Sequence, residues 1–207
     1  MGHVVVDVEI QKTIEETQGG WDATDKLGVA VACVWEYRTA RMRVYGPKDV
    51  KTLQEQLLLA DRISGFNILN FDFPVIWGIE KRTWLDCRND LGAFKGPAAI
   101  YKQLLPKTDD MLRRIWCAKN LDPDIFDKRT HGGCGLDAVA VGTIASSKIG
   151  YGGNAPAWYQ AGLIQKVANY CADDVAIERD LTDFVERYGY VIIDGKKLNI
   201  PEWKGGT

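Results

Sequence analysis

Asp7 and Glu9 sit two positions apart in the run 3–10, where every residue after His3 other than these two is Val or Ile. Side chains two apart on a strand point to the same face. A buried strand does not accept two adjacent like charges unless something positive compensates them. The simplest compensation is a pair of divalent cations. Carboxylates are suited to hard ions such as Mg²⁺. Two such ions support in-line displacement at phosphorus, which points to an enzyme acting on nucleic acid.

Two further acids have settings that could aim them at the same place. Asp72 ends the stretch Asn67-x3-Phe71-Asp72, just after a short apolar segment that breaks at Gly65. That puts a carboxylate at the end of a sheet, where ligands bind in open α/β folds. An Asp in the first turn of a helix is also common, since the helix dipole stabilises it, so Asp72 alone is ambiguous. Tyr170 and Asp174 are four apart in the periodic stretch 163–188. They share one helix face with Leu163, Val167, Ile177 and Leu181, and a carboxylate there calls for a partner. Asp173 reads as the more exposed of the two neighbouring acids.

The elements that must carry these residues follow from periodicity and turn chemistry. Residues 3–10, 27–37 and 41–45 read as strands, the last two joined by a tight turn. Residues 48–60 have helical spacing, 62–67 form a short strand, and 71–79 start a helix with Asp72 and Pro74 in its first turn. The stretch 84–107 reads as irregular or weakly helical, and 107–119 as a strand running into a helix. Residues 120–135 form a loop, 136–144 a helix and 149–156 a Gly-rich loop. One long helix spans 163–188, with a bend expected near Asp173. A hairpin over 190–200 turns at Asp194-Gly195. Three strands in a meander, then helices alternating with short strands, predict an α/β fold with a mixed central sheet of about five strands.

Bulk properties are compatible with this. The chain has 207 residues, 46% of them hydrophobic and 26% charged, enough for one domain with its own core and the terminal hairpin as an embellishment. The net charge of −2 argues against a strongly basic, non-specific nucleic-acid binder, but not against a nuclease whose acids sit on metals. No apolar run is long enough for a membrane span, and no leader pattern precedes the first strand. The five cysteines show no Cys-x-x-Cys spacing. They read as reduced thiols of a cytoplasmic protein.

Taken in order, Asp7-x-Glu9, Asn67-x3-Phe71-Asp72 and Tyr170-x3-Asp174 resemble the three motifs of the DEDD 3′–5′ exonucleases. The tyrosine is similar to that of the DEDDy subgroup. The resemblance implies an RNase H-like fold, two Mg²⁺ or Mn²⁺ ions, and release of nucleoside 5′-monophosphates from a DNA or RNA 3′ end. It implies that Asp7 bridges both ions and that Glu9 and Asp174 complete the nucleophile's site. Asp72 would hold the second ion largely through water, and Tyr170 would position the attacking water. Polymerase proofreading domains belong to this group, so a polymerase, helicase or other replication or repair partner is an expectation. After Glu9 the family often carries a threonine, where this chain has Ile10. The position of the alternative branch's histidine is Asn169, which excludes that branch.

Candidate substrate-contacting residues are Ile10, Asn67, Phe71, Lys148 and Trp158. Each has an ordinary alternative: Phe66 and Phe71 as packing, Trp158-Tyr159 as core rather than a stacking platform. Lys148 precedes the Gly-rich loop and could touch a backbone phosphate. Asp109-Asp110 reads as support for the site or as a helix cap. The pairs Lys81-Arg82, Arg113-Arg114 and Lys128-Arg129 read as solvated charge. His131 and Cys134 lack further ligands and read as loop residues. A structure-selective endonuclease of the same fold and a catalytically inactive nucleic-acid-binding scaffold are the alternative functions.

Overall fold

The computed structural model describes residues 2–89, 95–148, 150 and 152–205. In chain order the elements are β1 (His3–Ile10), β2 (Val29–Glu36), β3 (Arg41–Tyr45), α1 (Val50–Leu59), β4 (Arg62–Gly65), α2 (Asp72–Trp77), α3 (Lys81–Asp86), α4 (Gly96–Leu104), β5 (Thr108–Asp110), α5 (Met111–Ala118), α6 (Lys128–His131), α7 (Leu136–Ile144), α8 (Ala155–Gln160), α9 (Ile164–Tyr188), β6 (Tyr190–Ile193) and β7 (Lys196–Asn199). The fold is α/β. Its mixed sheet of five strands has the order β3-β2-β1-β4-β5. The β1–β2 and β2–β3 pairs are antiparallel, and β1–β4 and β4–β5 are parallel.

The two faces of β1 explain why its sequence is nearly all Val. Val4, Val6 and Val8 point into a large core with Leu53 and Leu57 of α1, Phe73 and Ile76 of α2, and Trp84. Val5 points the other way and packs with Val31 and Cys33 of β2 and Val167, Cys171 and Val175 of α9. Asp7 and Glu9 continue that second face. A strand buried on both sides has no solvated face for polar residues, so two acids at its end need another reason.

A third apolar cluster joins α5, α7 and α9 to the terminal hairpin through Ile115, Val139, Leu181 and Val191. The hairpin turns at Asp194 and Gly195, both with positive φ (49° and 70°), as a two-residue hairpin turn requires. Residues 164–188 form one helix of 25 residues with no break at Asp173.

Several expectations need correction. Residues within 84–107 are more ordered than their composition suggests, since α3 ends and α4 lies inside this stretch. Arg113 and Arg114 are not solvated: both are 5% exposed. Arg113 pairs with Asp124 and Arg114 with Asp109. The predicted loop 149–156 includes residues 149 and 151, which lie outside the described residues, and its last part already belongs to α8. His131 is buried, one ring nitrogen meeting the Asp122 carbonyl at 2.9 Å. No helix among the described residues is long and apolar enough to cross a membrane.

Candidate metal centre

β1 pairs with β4 only over His3–Val5. Beyond Val5 that edge of β1 is open. Here the chain leaves β4 at Gly65, where a side chain would come within 2.8 Å of the Val6 carbonyl. It passes through Asn67 in the left-handed region (φ 66°) and enters α2 at Asp72. Asp72 Oδ1 accepts the Val8 N–H at 3.0 Å. The acid therefore docks on the β1 edge between Asp7 and Glu9 while lying 3% exposed.

Asp110 fixes this turn. Its buried carboxylate accepts the N–H groups of Asn67 (2.9 Å) and Leu69 (3.0 Å). It also caps α5 through Leu112 (3.1 Å) and Arg113 (3.3 Å). Asp110 is thus the helix cap of α5 and also ties down the turn that leads to Asp72. Asp109 faces elsewhere and is paired with Arg62 and Arg114.

α9 brings the last motif across the same face. One carboxylate oxygen each from Asp7, Glu9 and Asp174 lie within 4.8 Å of one another. Glu9 is 7% exposed, Asp174 1% and Tyr170 4%. Asp7 is half-buried, yet its Oδ2 atom is inaccessible and unpartnered among the described residues. Asp174 Oδ1 and the Tyr170 hydroxyl are likewise without hydrogen-bond partners among those residues. Asp173, one residue earlier, is half-buried and stays out of the cluster, as its position suggested.

The electrostatics follow from burial and crowding. Burial, then the Asp174 charge, raises the Asp7 carboxyl to about 7. Burial, then Asp7, raises Glu9 to about 10. Asp72 is pushed well up by burial, Asp7 and Asp110. Asp174 is raised by burial against the pull of Lys148. Like charges in a low-dielectric site favour the neutral acid unless a cation arrives.

Lys148 is the cation present. Its Nζ lies 2.6 Å from Asp174 Oδ2 and 5.3 Å from the Tyr170 ring centre. Burial lowers its pKa, but the Asp174 and Asp7 charges outweigh this and raise it. The Lys148 N–H is held by Asp137 Oδ1 at 2.9 Å. From sequence, Lys148 could touch a backbone phosphate; in the fold it lines the cleft with its ammonium on Asp174.

The acids floor a cleft of about 650 Å³. Ile10, Ile14, Trp21, Phe66, Asn67 and Phe71 also line it. Trp21, which sequence reasoning did not select, is 64% exposed and meets Phe71 edge-on at 6.1 Å. Phe66 and Phe71 therefore border the cleft as well as packing. Trp158 lies behind Tyr170, edge-on at 5.8 Å, and packs against the α9 core. A second cavity at the start of β4 is lined by Arg62, Arg114, Glu186 and Trp203. Its arginines are already paired with Asp109 and Glu186.

Donor chemistry fits a divalent cation. The inward-facing oxygens of Asp7 and Asp174 lack partners among the described residues, all ligating atoms are carboxylate oxygens, and one ammonium does not balance four acids. Asp7, Glu9 and Asp174 could hold a metal ion. No family model matches this chain, and no curated protein matches it in sequence.

Proposed function

We propose that the protein is a metal-dependent 3′–5′ exonuclease that releases nucleoside 5′-monophosphates from nucleic-acid 3′ ends. The observation that carries this reading is the convergence of Asp7, Glu9 and Asp174 within 4.8 Å, with Asp72 docked on the same strand. A meander of three antiparallel strands followed by two parallel ones supports an RNase H-like fold. The cleft adds a second kind of support. An acidic floor facing an apolar wall of Ile10, Ile14, Trp21 and Phe71 suits a nucleotide, with its phosphate over the acids and its base on the wall.

When bound, divalent ions would lower the pKa of a water and offset charge on the leaving oxygen. The chain's own residues do the rest. Asp7 and Glu9 are held by strand geometry, Asp174 by α9, and Asp72 by the Val8 N–H, so the cluster is formed before substrate arrives. Tyr170, buried beside Asp174 and Lys148, would orient a water. Lys148 neutralises Asp174 until the site is loaded.

The test is incubation with Mn²⁺ or Mg²⁺ and 5′-labelled single-stranded DNA, RNA and recessed duplex, followed on a sequencing gel. A ladder shortening from the 3′ end, lost in Asp7→Asn, is expected. Cleavage of a circular strand of the same sequence would instead indicate an endonuclease. No cleavage of any substrate by a chain that binds Mn²⁺ would overturn the catalytic reading.

A further inference from the structure

Glu178 lies one helical turn beyond Asp174 and two beyond Tyr170 on α9. It is 3% exposed. Residues at i, i+4 and i+8 share a helix face, so Glu178 extends the face that carries the site. Its Oε2 atom has no hydrogen-bond partner among the described residues. Burial first, then the charges of Asp7, Asp72 and Asp174, raises its carboxyl well above the usual carboxylate range. Its inaccessible Oε2 is thus an unpartnered atom on the helix face that carries Tyr170 and Asp174. None of the three sequence motifs uses it.

The distribution of charge says what it is for. Lys148 pairs with Asp174 at 2.6 Å. Asp72 is raised by burial first and then by the Asp7 and Asp110 charges. Asp7, Asp72 and Glu178 have no ion-pair partner among the described residues, whereas Asp174 has Lys148. Buried polar atoms are partnered in folded proteins, so an orphan such as Glu178 Oε2 calls for an explanation, and an ion nearby is one. Glu178 does not line the cleft, so it acts from beneath the floor rather than on substrate.

We infer that Glu178 is a fifth carboxylate of the centre, a positioning residue that supplies negative charge to a second divalent cation held by Asp7 and Asp72. The inference rests on the metal-dependent reading above, and it adds a residue to that reading. Outer groups of this kind typically change metal affinity by about 10–100-fold.

The test is calorimetric titration of Mn²⁺ into the full chain in the presence of AMP. The wild type, Glu178→Gln, Glu178→Leu, Asp72→Asn and Asp7→Asn are compared. The wild type should take up two ions. Glu178→Gln should weaken the weaker site about tenfold or more and leave the tighter one unchanged, as Asp72→Asn should. Thermal unfolding in EDTA should show both Glu178 variants at least as stable as the wild type; if Glu178→Leu fails to fold, Glu178→Gln carries the test. Wild-type affinity at both sites in the Glu178 variants overturns the inference alone, and so does a wild type that binds a single ion. A wild type that binds no Mn²⁺, or an Asp7→Asn variant that binds it normally, overturns the metal centre itself.

Discussion

Replacing Asp7 by Asn should stabilise the cation-free chain, and by more as the pH rises. In the folded chain the Asp7 carboxyl is raised from 3.8 to about 7 by burial and then by Asp174. A folded state that holds more protons than the unfolded state loses stability as pH rises. The contribution of Asp7 is therefore fully present below about pH 4 and is lost as pH climbs through 7. Between those limits the loss approaches about 1.4 kcal/mol for each tenfold fall in proton concentration, so raising the pH from 5 to 7 removes about 2–3 kcal/mol. For a chain of this size each kcal/mol moves Tm by about 2–4 °C, which makes the expected effect about 4–12 °C. Glu9, raised to about 10 by burial and then Asp7, adds loss of the same sign and continues it above pH 7.

His3 works against this trend in the wild type. Burial, then Arg62, lowers its pKa to about 4, so its contribution grows as pH rises toward 6.5. Comparing Asp7→Asn with wild type cancels His3, which both chains share. Thermal unfolding by circular dichroism in EDTA at pH 5, 6, 7 and 8 gives the difference directly. The Tm advantage of Asp7→Asn should widen between pH 5 and 7. Saturating Mn²⁺ should reverse it, because the ion binds the deprotonated folded site and stabilises the wild type by mass action. An advantage that stays constant with pH, or a wild type indifferent to Mn²⁺, would refute the placement of Asp7 in a crowded, desolvated cluster.

Asp174→Asn should lower nucleotide release by about 10³-fold or more, as expected when several kcal/mol of charge stabilisation are lost, with the folded circular dichroism spectrum retained. Tyr170→Phe should slow release by only about 10–100-fold, since the hydroxyl orients rather than ligates; single-turnover rates separate the two. Asp110→Ala leaves the N–H groups of Asn67, Leu69, Leu112 and Arg113 without their acceptor. A loss of about 2–4 kcal/mol in urea unfolding is expected, along with weaker binding at the Asp72 site. Gly65→Ala would drive a methyl group to 2.8 Å from the Val6 carbonyl and should cost about 1–3 kcal/mol, read from the same urea midpoint.

The elements are legible in sequence where local pattern and tertiary environment agree. β1, β2 and β3 are apolar or alternating runs joined by turns, and their predicted bounds lie within two residues of those found. The terminal hairpin is visible because Asp194-Gly195 meets a specific backbone demand. The segment 84–107 is illegible for the opposite reason. Its helices rest on Trp84, Tyr101 and Leu104 buried in the main core, a tertiary effect that weak local periodicity does not reveal. The burial of Arg113 and Arg114 is equally hidden, because an arginine pair carries no local sign that Asp109 and Asp124 wait for it across the fold.

At the site, sequence reasoning finds residues that depend on simple spacing. Asp7 and Glu9 share a strand face, and Tyr170 and Asp174 share a helix face, so each pair is a local statement. Which pairs meet is not local. That Asp72 docks on the Val8 N–H follows from β1 losing its β4 partner after Val5. Lys148 reads as a loop cation in sequence, and only the fold shows its ammonium already held by Asp174. Glu178 is different, because the spacing rule that joins Tyr170 to Asp174 reaches it in one more step. Ile177 and Leu181 mask it, since they make that turn of α9 read as ordinary core. A helix face is wide enough to bury Ile177 and Glu178 together, at 6% and 3% exposure. A buried acid one turn beyond a suspected ligand therefore has to be weighed with the ligand, whatever apolar neighbours surround it.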